Sequence, residues 1–145
     1  MPSPLSCGLV WFRRDLRAHD HPALLHALRE CAQVHCVFVF DEDILARLPR
    51  ADRRVRFIRE SLCDLDQALR ALSHDAHAGL IVLHACARAA VPELAQRLDV
   101  QAVYAGRDDE PAALERDAHV RTALAQQGRE LRLFKDHTVF ERSEL

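Results

Sequence analysis

The sequence predicts an α/β fold: a doubly wound, five-stranded parallel sheet with helices on both faces, in three layers. Two observations predict it. Short apolar runs alternate with segments of helical periodicity along the chain, the pattern of a parallel sheet with crossover helices. Three of the runs are apolar almost without a break, as strands covered on both faces require. A chain of 145 residues with 49% hydrophobic content suffices for one domain with a real core.

The strands are expected at 7–12, 34–40, 80–84, 102–105 and 130–134. The first helix follows Asp20 and turns Leu24, Leu28 and Cys31 inward. The second opens after Asp52, a residue suited to the N-cap, and carries Val55, Ile58, Leu62, Leu65, Leu69 and Leu72 at spacings of three and four. That spacing makes a one-sided apolar stripe. The third opens near Pro92 and carries Val91, Leu94, Ala95 and Leu98. The fourth runs over 111–127 and stops at Gly128, since proline suits the first turn and glycine the end.

Composition and missing motifs exclude several classes. A net charge of −2 argues against a stand-alone nucleic-acid binder, which would show a basic surplus. The four glycines (Gly8, Gly79, Gly106, Gly128) form no G-x-G-x-x-G, P-loop or G-x-S-x-G. His74, Asp75 and His77 lack a third ligand at sensible spacing, so no metal site is expected. Five scattered cysteines without a C-x-x-C pair fit core residues of a reducing compartment. There is neither a signal-peptide pattern nor an apolar run near the ~18 residues of a membrane span, so a cytoplasmic, membrane-free protein is expected.

Everything chemically unusual follows a strand. The first strand delivers Arg13 and Arg14, with Asp15, Arg17 and Asp20 close behind. The second delivers Phe40, Asp41, Glu42 and Asp43, and the fourth Arg107, Asp108, Asp109 and Glu110. One reading is structural: Arg13 and Arg17 pair with Asp15 and Asp20, while the acidic groups cap helices. The other is a ligand pocket, because open parallel sheets bind ligands at the carboxyl ends of their strands.

The string Leu9–Leu24, L-V-W-F-R-R-D-L-R-A-H-D-H-P-A-L, closely resembles the opening of the DNA photolyase and cryptochrome family. So do Phe38–Asp41 at the end of the second strand, Arg54 and Phe57, then Glu60-Ser61-Leu62 and Asp64-Leu65. Asp108, Glu110 and Pro111 resemble the family's D-x-E-P, Arg116-Asp117 its R-D, and Asp136-His137 its D-H. The resemblance covers essentially the whole chain. It implies a Rossmann-like amino-terminal domain over 1–135, with 136–145 starting a linker to a helical FAD domain that this chain lacks.

The resemblance further implies an antenna chromophore, which is a folate, a deazaflavin or a second flavin such as FMN. Carried over by position, its site residues are Arg13, Phe40, Asp41, Arg54, Phe57, Asp108 and Glu110. Arg14 and Arg17 fall to structural pairing with Asp15 and Asp20. No residue of this chain is implied to be catalytic. The parent protein is expected to be a deoxyribodipyrimidine photolyase, a lyase that repairs damaged DNA by light-driven electron transfer from FAD. The alternatives are a cryptochrome-type blue-light receptor and an independent nucleotide-binding module. Departures are Gly106, where many relatives carry asparagine, Asp109, where an apolar or aromatic residue is common, and Ala85-Cys86-Ala87 in place of a frequent Gly-Asp.

Overall fold

The computed structural model describes residues 5–13, 16–18, 20–41, 53–72 and 79–135. In chain order these form β1 (Leu5–Phe12), α1 (Pro22–Glu30), β2 (Cys31–Asp41), α2 (Arg53–Leu72), β3 (Leu80–Ala85), α3 (Ala87–Leu98), β4 (Ala102–Gly106), α4 (Pro111–Gln126) and β5 (Glu130–Phe134). The strands make one sheet in the order β3-β2-β1-β4-β5, and every pairing is parallel. The chain therefore builds outward from β1 to β3, then returns to β1's other side for β4 and β5. The order reverses between β1 and β4.

Strand alternation splits the core in two. Leu9, Trp11, Val37, Val39, Val103 and Ala105 face α3 and α4, packing with Ala87, Val91, Ala95, Val120 and Leu124. Val10, Phe12, Cys36, Phe38, Phe40 and Tyr104 face α1 and α2, packing with Ala23, Leu24, Ala27, Leu62, Leu65 and Leu69. Each fully buried large side chain contributes roughly 1.5–3 kcal/mol relative to exposure. The three expected layers are thus present.

Boundaries shift for identifiable reasons. Cys31 starts β2 instead of ending α1, and Leu28 is 54% exposed, because α1 turns Ala23, Leu24 and Ala27 inward. Leu72 also points outward at the end of α2. α3 begins at Ala87, so Pro92 lies inside it; the alanine-rich turn before Pro92 is helical in spite of the proline. α1 is capped by His21, whose Nδ1 accepts from the Leu24 N–H at 3.1 Å. Asp20 instead takes a left-handed φ of 49°, and its carbonyl accepts from Arg17 at 2.7 Å. Gly128, at φ 76°, ends α4 as expected. Asp52, Glu42, Asp43, His74, Asp75, His77 and the 136–145 segment lie outside the described residues.

One polar network sits in the α1 face of the core. The fully buried Tyr104 donates its hydroxyl to Glu30 at 3.2 Å, accepts from Arg132 at 3.1 Å and lies 3.5 Å from the Cys31 sulfur. Burial, then the Cys31 contact, raises the phenol's pKa. Glu30 closes an ion pair with Arg132. α1 is thereby tied to β5 across β4.

Cysteine placement gives a direct check. Cys7, Cys31 and Cys36 are buried, Cys86 is half-buried and Cys63 is exposed. Burial pushes the Cys36 thiol up to about 12 and also raises that of Cys7. Since the thiolate is the nucleophile, a thiol reagent at pH 8 is expected to modify Cys63 first and Cys36 only on unfolding. Peptide mapping of the labelled protein checks this; early labelling of Cys36 would contradict the placement of β2.

Candidate functional site

The carboxyl ends of the strands assemble the candidate site. Register places Phe12 opposite Phe38 and Trp11 opposite both Val37 and Ala105, so the exits of β2, β1 and β4 are neighbours on one sheet edge. Neighbouring strands lie roughly 5 Å apart. Arg13 leaves β1, Asp41 ends β2 beside Ala85, and Asp108 follows β4 by two residues. α2 connects the end of β2 to the start of β3, so its first turns, with Arg54 and Phe57, begin on the same edge. Glu110 is the N-cap residue of α4. All seven expected site residues therefore belong to one edge, around the strand-order reversal.

Their environments differ. Phe57 is 69% exposed, an unusual position for a phenylalanine on an otherwise polar helix face. Phe40 is only 5% exposed: its ring meets Phe38 edge-on at 5.0 Å and stacks on the exposed His84 at 4.6 Å. Phe40 is thus mainly core, and His84, which sequence reading passed over, extends its stack to the surface. Asp108 Oδ1 accepts from the Glu110 N–H at 3.1 Å, an Asx-type turn leading into α4. Arg107 and Asp109 form an exposed pair at 3.3 Å.

Arg13 is engaged within the protein. Its Nη1 donates to Asp117 Oδ1 at 2.5 Å and its Nη2 to the Gly106 carbonyl. The guanidinium also lies over the Trp11 indole at 4.9 Å, and Arg116 lies over the same ring at 5.1 Å. Arg116 Nε is 3.6 Å from Asp117 Oδ1. Two cation–π contacts to Trp11, with the Asp117 carboxylate beside both guanidinium groups, thus mark the α4 side of the reversal point. Arg13's pairing with Asp117 was missed from sequence because the two are 104 residues apart. One signal was present. Ala113, Asp117, Val120 and Leu124 form the buried stripe of α4, and a carboxylate in such a stripe requires a buried cation.

A shallow open depression also lies on the outer face of α4, lined by Glu115, Ala118, His119, Thr122, Ala123 and Gln126. It is remote from the strand ends in character, being one helix face. Among the described residues no cluster of histidine, cysteine and acidic side chains could hold a metal ion, and no helix is long and apolar enough to cross a membrane.

A doubly wound α/β domain whose carboxyl edge gathers charged residues and one exposed phenylalanine defines the class: a Rossmann-like α/β domain. The chain belongs to the DNA photolyase family, whose model matches residues 8–145. It is 44% identical over 116 residues to the deoxyribodipyrimidine photo-lyase of Thermus thermophilus, covering 80% of this chain and 26% of that protein. It is 35% identical over 130 residues to cryptochrome-2 of Gallus gallus, covering 90% of this chain and 22% of that protein. Among solved structures, the archaeal photolyase of Sulfolobus tokodaii superposes with a TM-score of 0.82 at 30% identity, over 96% of this chain and 31% of that one. That structure holds two FAD molecules, with the implication of a novel light-harvesting cofactor. The chain spans about a quarter of the length of the curated relatives it matches, 22% and 26% in these two cases.

Proposed function

We propose that this chain is the light-harvesting domain of a deoxyribodipyrimidine photolyase, holding an antenna chromophore at the carboxyl edge of its sheet. The observation that carries the reading is the exposed Phe57 on the same edge as Asp41, Asp108 and Glu110. A flat, partly polar ring system needs one apolar wall and a few hydrogen-bonding groups. Phe57 supplies the wall, and the Phe40–His84 stack belongs to the same edge. Asp108 and Glu110 accept hydrogen bonds from ring or hydroxyl donors, and Asp41 and Arg54 remain candidates by their position in the chain. Folate, deazaflavin and FMN all fit that description. When bound, such a group supplies light absorption and passes excitation energy onward.

Family membership supports the remaining parts of the reading. Residues 1–135 form the domain and 136–145 begin a linker to a helical FAD domain, which would carry the photochemistry and meet damaged DNA in a cytoplasmic enzyme. The chain's own residues bind and orient; none is assigned a catalytic role. Relatives with both photolyase and cryptochrome names make a blue-light receptor the second reading, with the same edge pocket.

The test is chromophore binding by two variants. Phe57→Ala removes an apolar wall worth roughly 1–3 kcal/mol, so FMN or a reduced folate should bind about five- to a hundredfold more weakly. Asp108→Asn alters a half-buried contact worth about 0–1 kcal/mol, a loss of fivefold at most. If Asp108→Asn abolishes binding while Phe57→Ala keeps it, hydrogen bonding rather than the aromatic wall organises the pocket.

A further inference from the structure

We infer that Asp117 is a positioning residue for the edge pocket: through Arg13 it fixes the exit of β4, and with it the turn that presents Asp108 and Glu110. The inference rests on the antenna reading and names a residue that reading leaves out.

The geometry is that of a brace. Asp117 is 4% exposed and sits on the inner stripe of α4. Arg13 divides its two terminal nitrogens between Asp117 Oδ1 and the Gly106 carbonyl. One guanidinium thereby ties together the ends of β1 and β4 and the side of α4. Gly106 is the last residue of β4, and Asp108 and Glu110 stand two and four residues beyond it. The Arg13 guanidinium also lies over the Trp11 ring, and Arg116 lies over the same ring.

Arginine–carboxylate pairs frequently take the two-pronged form, with both carboxylate oxygens on one guanidinium. Here that arrangement is given up. Asp117 Oδ2 is buried and has no hydrogen-bond partner among the described residues, a costly state for a charged acceptor. The second prong of Arg13 goes to a strand-end carbonyl instead. Departures from full hydrogen-bond satisfaction concentrate where function sets the geometry. The backbone atom secured in exchange is the one from which the pocket's acidic turn begins.

The experiment is FMN titration of the 145-residue chain, with a reduced folate as second probe, at a temperature where far-ultraviolet circular dichroism shows every variant folded. Asp117→Asn keeps shape and removes charge; it is expected to weaken binding about tenfold and to shift the bound chromophore's difference spectrum. In an Arg13→Gln background the same change should alter affinity less than about twofold, because residues acting through one another are not additive. Arg13→Lys, a point charge that cannot reach both Asp117 and the Gly106 carbonyl, is the second variant should Asp117→Asn fail to fold. It is expected to lose a similar factor. Wild-type affinity and spectrum in Asp117→Asn or, if that does not fold, in Arg13→Lys would overturn the inference. Equal losses with and without Arg13 would overturn it too. Absence of saturable binding of either probe by the wild-type chain would instead overturn the antenna reading beneath it.

Discussion

Replacing Asp117 by alanine is expected to lower the unfolding free energy by about 3–5 kcal/mol, the cost of leaving a buried cation without its partner. Side-chain exposures of 7% for Arg13 and 5% for Asp117 place this pair well inside the range where such costs apply, unlike the exposed Arg97–Glu93 bridge. Arg116, 14% exposed beside the same carboxylate, adds a second guanidinium to the penalty. Neutralising Glu93 should change stability by less than about 1 kcal/mol. Urea unfolding of both variants checks the contrast. Equal, small effects would mean that the Trp11 ring holds the arginines without help from the carboxylate.

The second large effect is expected at Gly8, in the middle of β1. A Cβ there would lie 2.6 Å from the Cys31 sulfur and 3.2 Å from the Tyr104 ring. Both neighbours are buried, and Cys31 is held against the Tyr104 hydroxyl, so neither can yield cheaply. Gly8→Ala should destabilise by about 1–3 kcal/mol through overpacking. Adding Cys31→Ala removes the closest atom, and the pair should recover a substantial part of that loss. A fully additive double variant would show that backbone freedom at Gly8, and not the space beside it, is what matters. The network of Tyr104, Glu30 and Arg132 makes the position sensitive, since any shift of Tyr104 also moves the tie between α1 and β5.

These two sites show why the sequence was legible in some places and silent in others. The parallel sheet could be read because Val10, Val37, Val103 and their neighbours are apolar on both faces, a local signal. The stripe of Leu62, Leu65 and Leu69 was equally plain. Ends were harder. Cys31 is as compatible with the last turn of a helix as with the first residue of a strand, and only pairing with Leu5 decides it. Pro92 reads as a helix start because proline is at ease there, yet tertiary packing of Ala87, Ala90 and Val91 extends the helix past it. At the site, the strand ends announced which residues would share an edge. They could not announce what each does there. Arg13 finds Asp117 across the chain, and Phe40 is covered while Phe57 is bare. Both outcomes depend on which side of the sheet a neighbouring helix covers, information that no local spacing contains.

The claim that the carboxyl edge holds a chromophore is tested most directly through Trp11. It is the chain's only tryptophan, is 2% exposed, and lies two residues before Arg13, beside the reversal of strand order. A ligand over neighbouring strand ends is within roughly 10–15 Å of its indole, given the ~5 Å spacing of strands, close enough for efficient energy transfer to a blue-absorbing ring. Titration with FMN, a deazaflavin and a reduced folate should quench Trp11 emission saturably with at least one of them, and Phe57→Ala should move that saturation to higher concentration. Emission that stays constant, or falls only linearly with all three, would contradict the account.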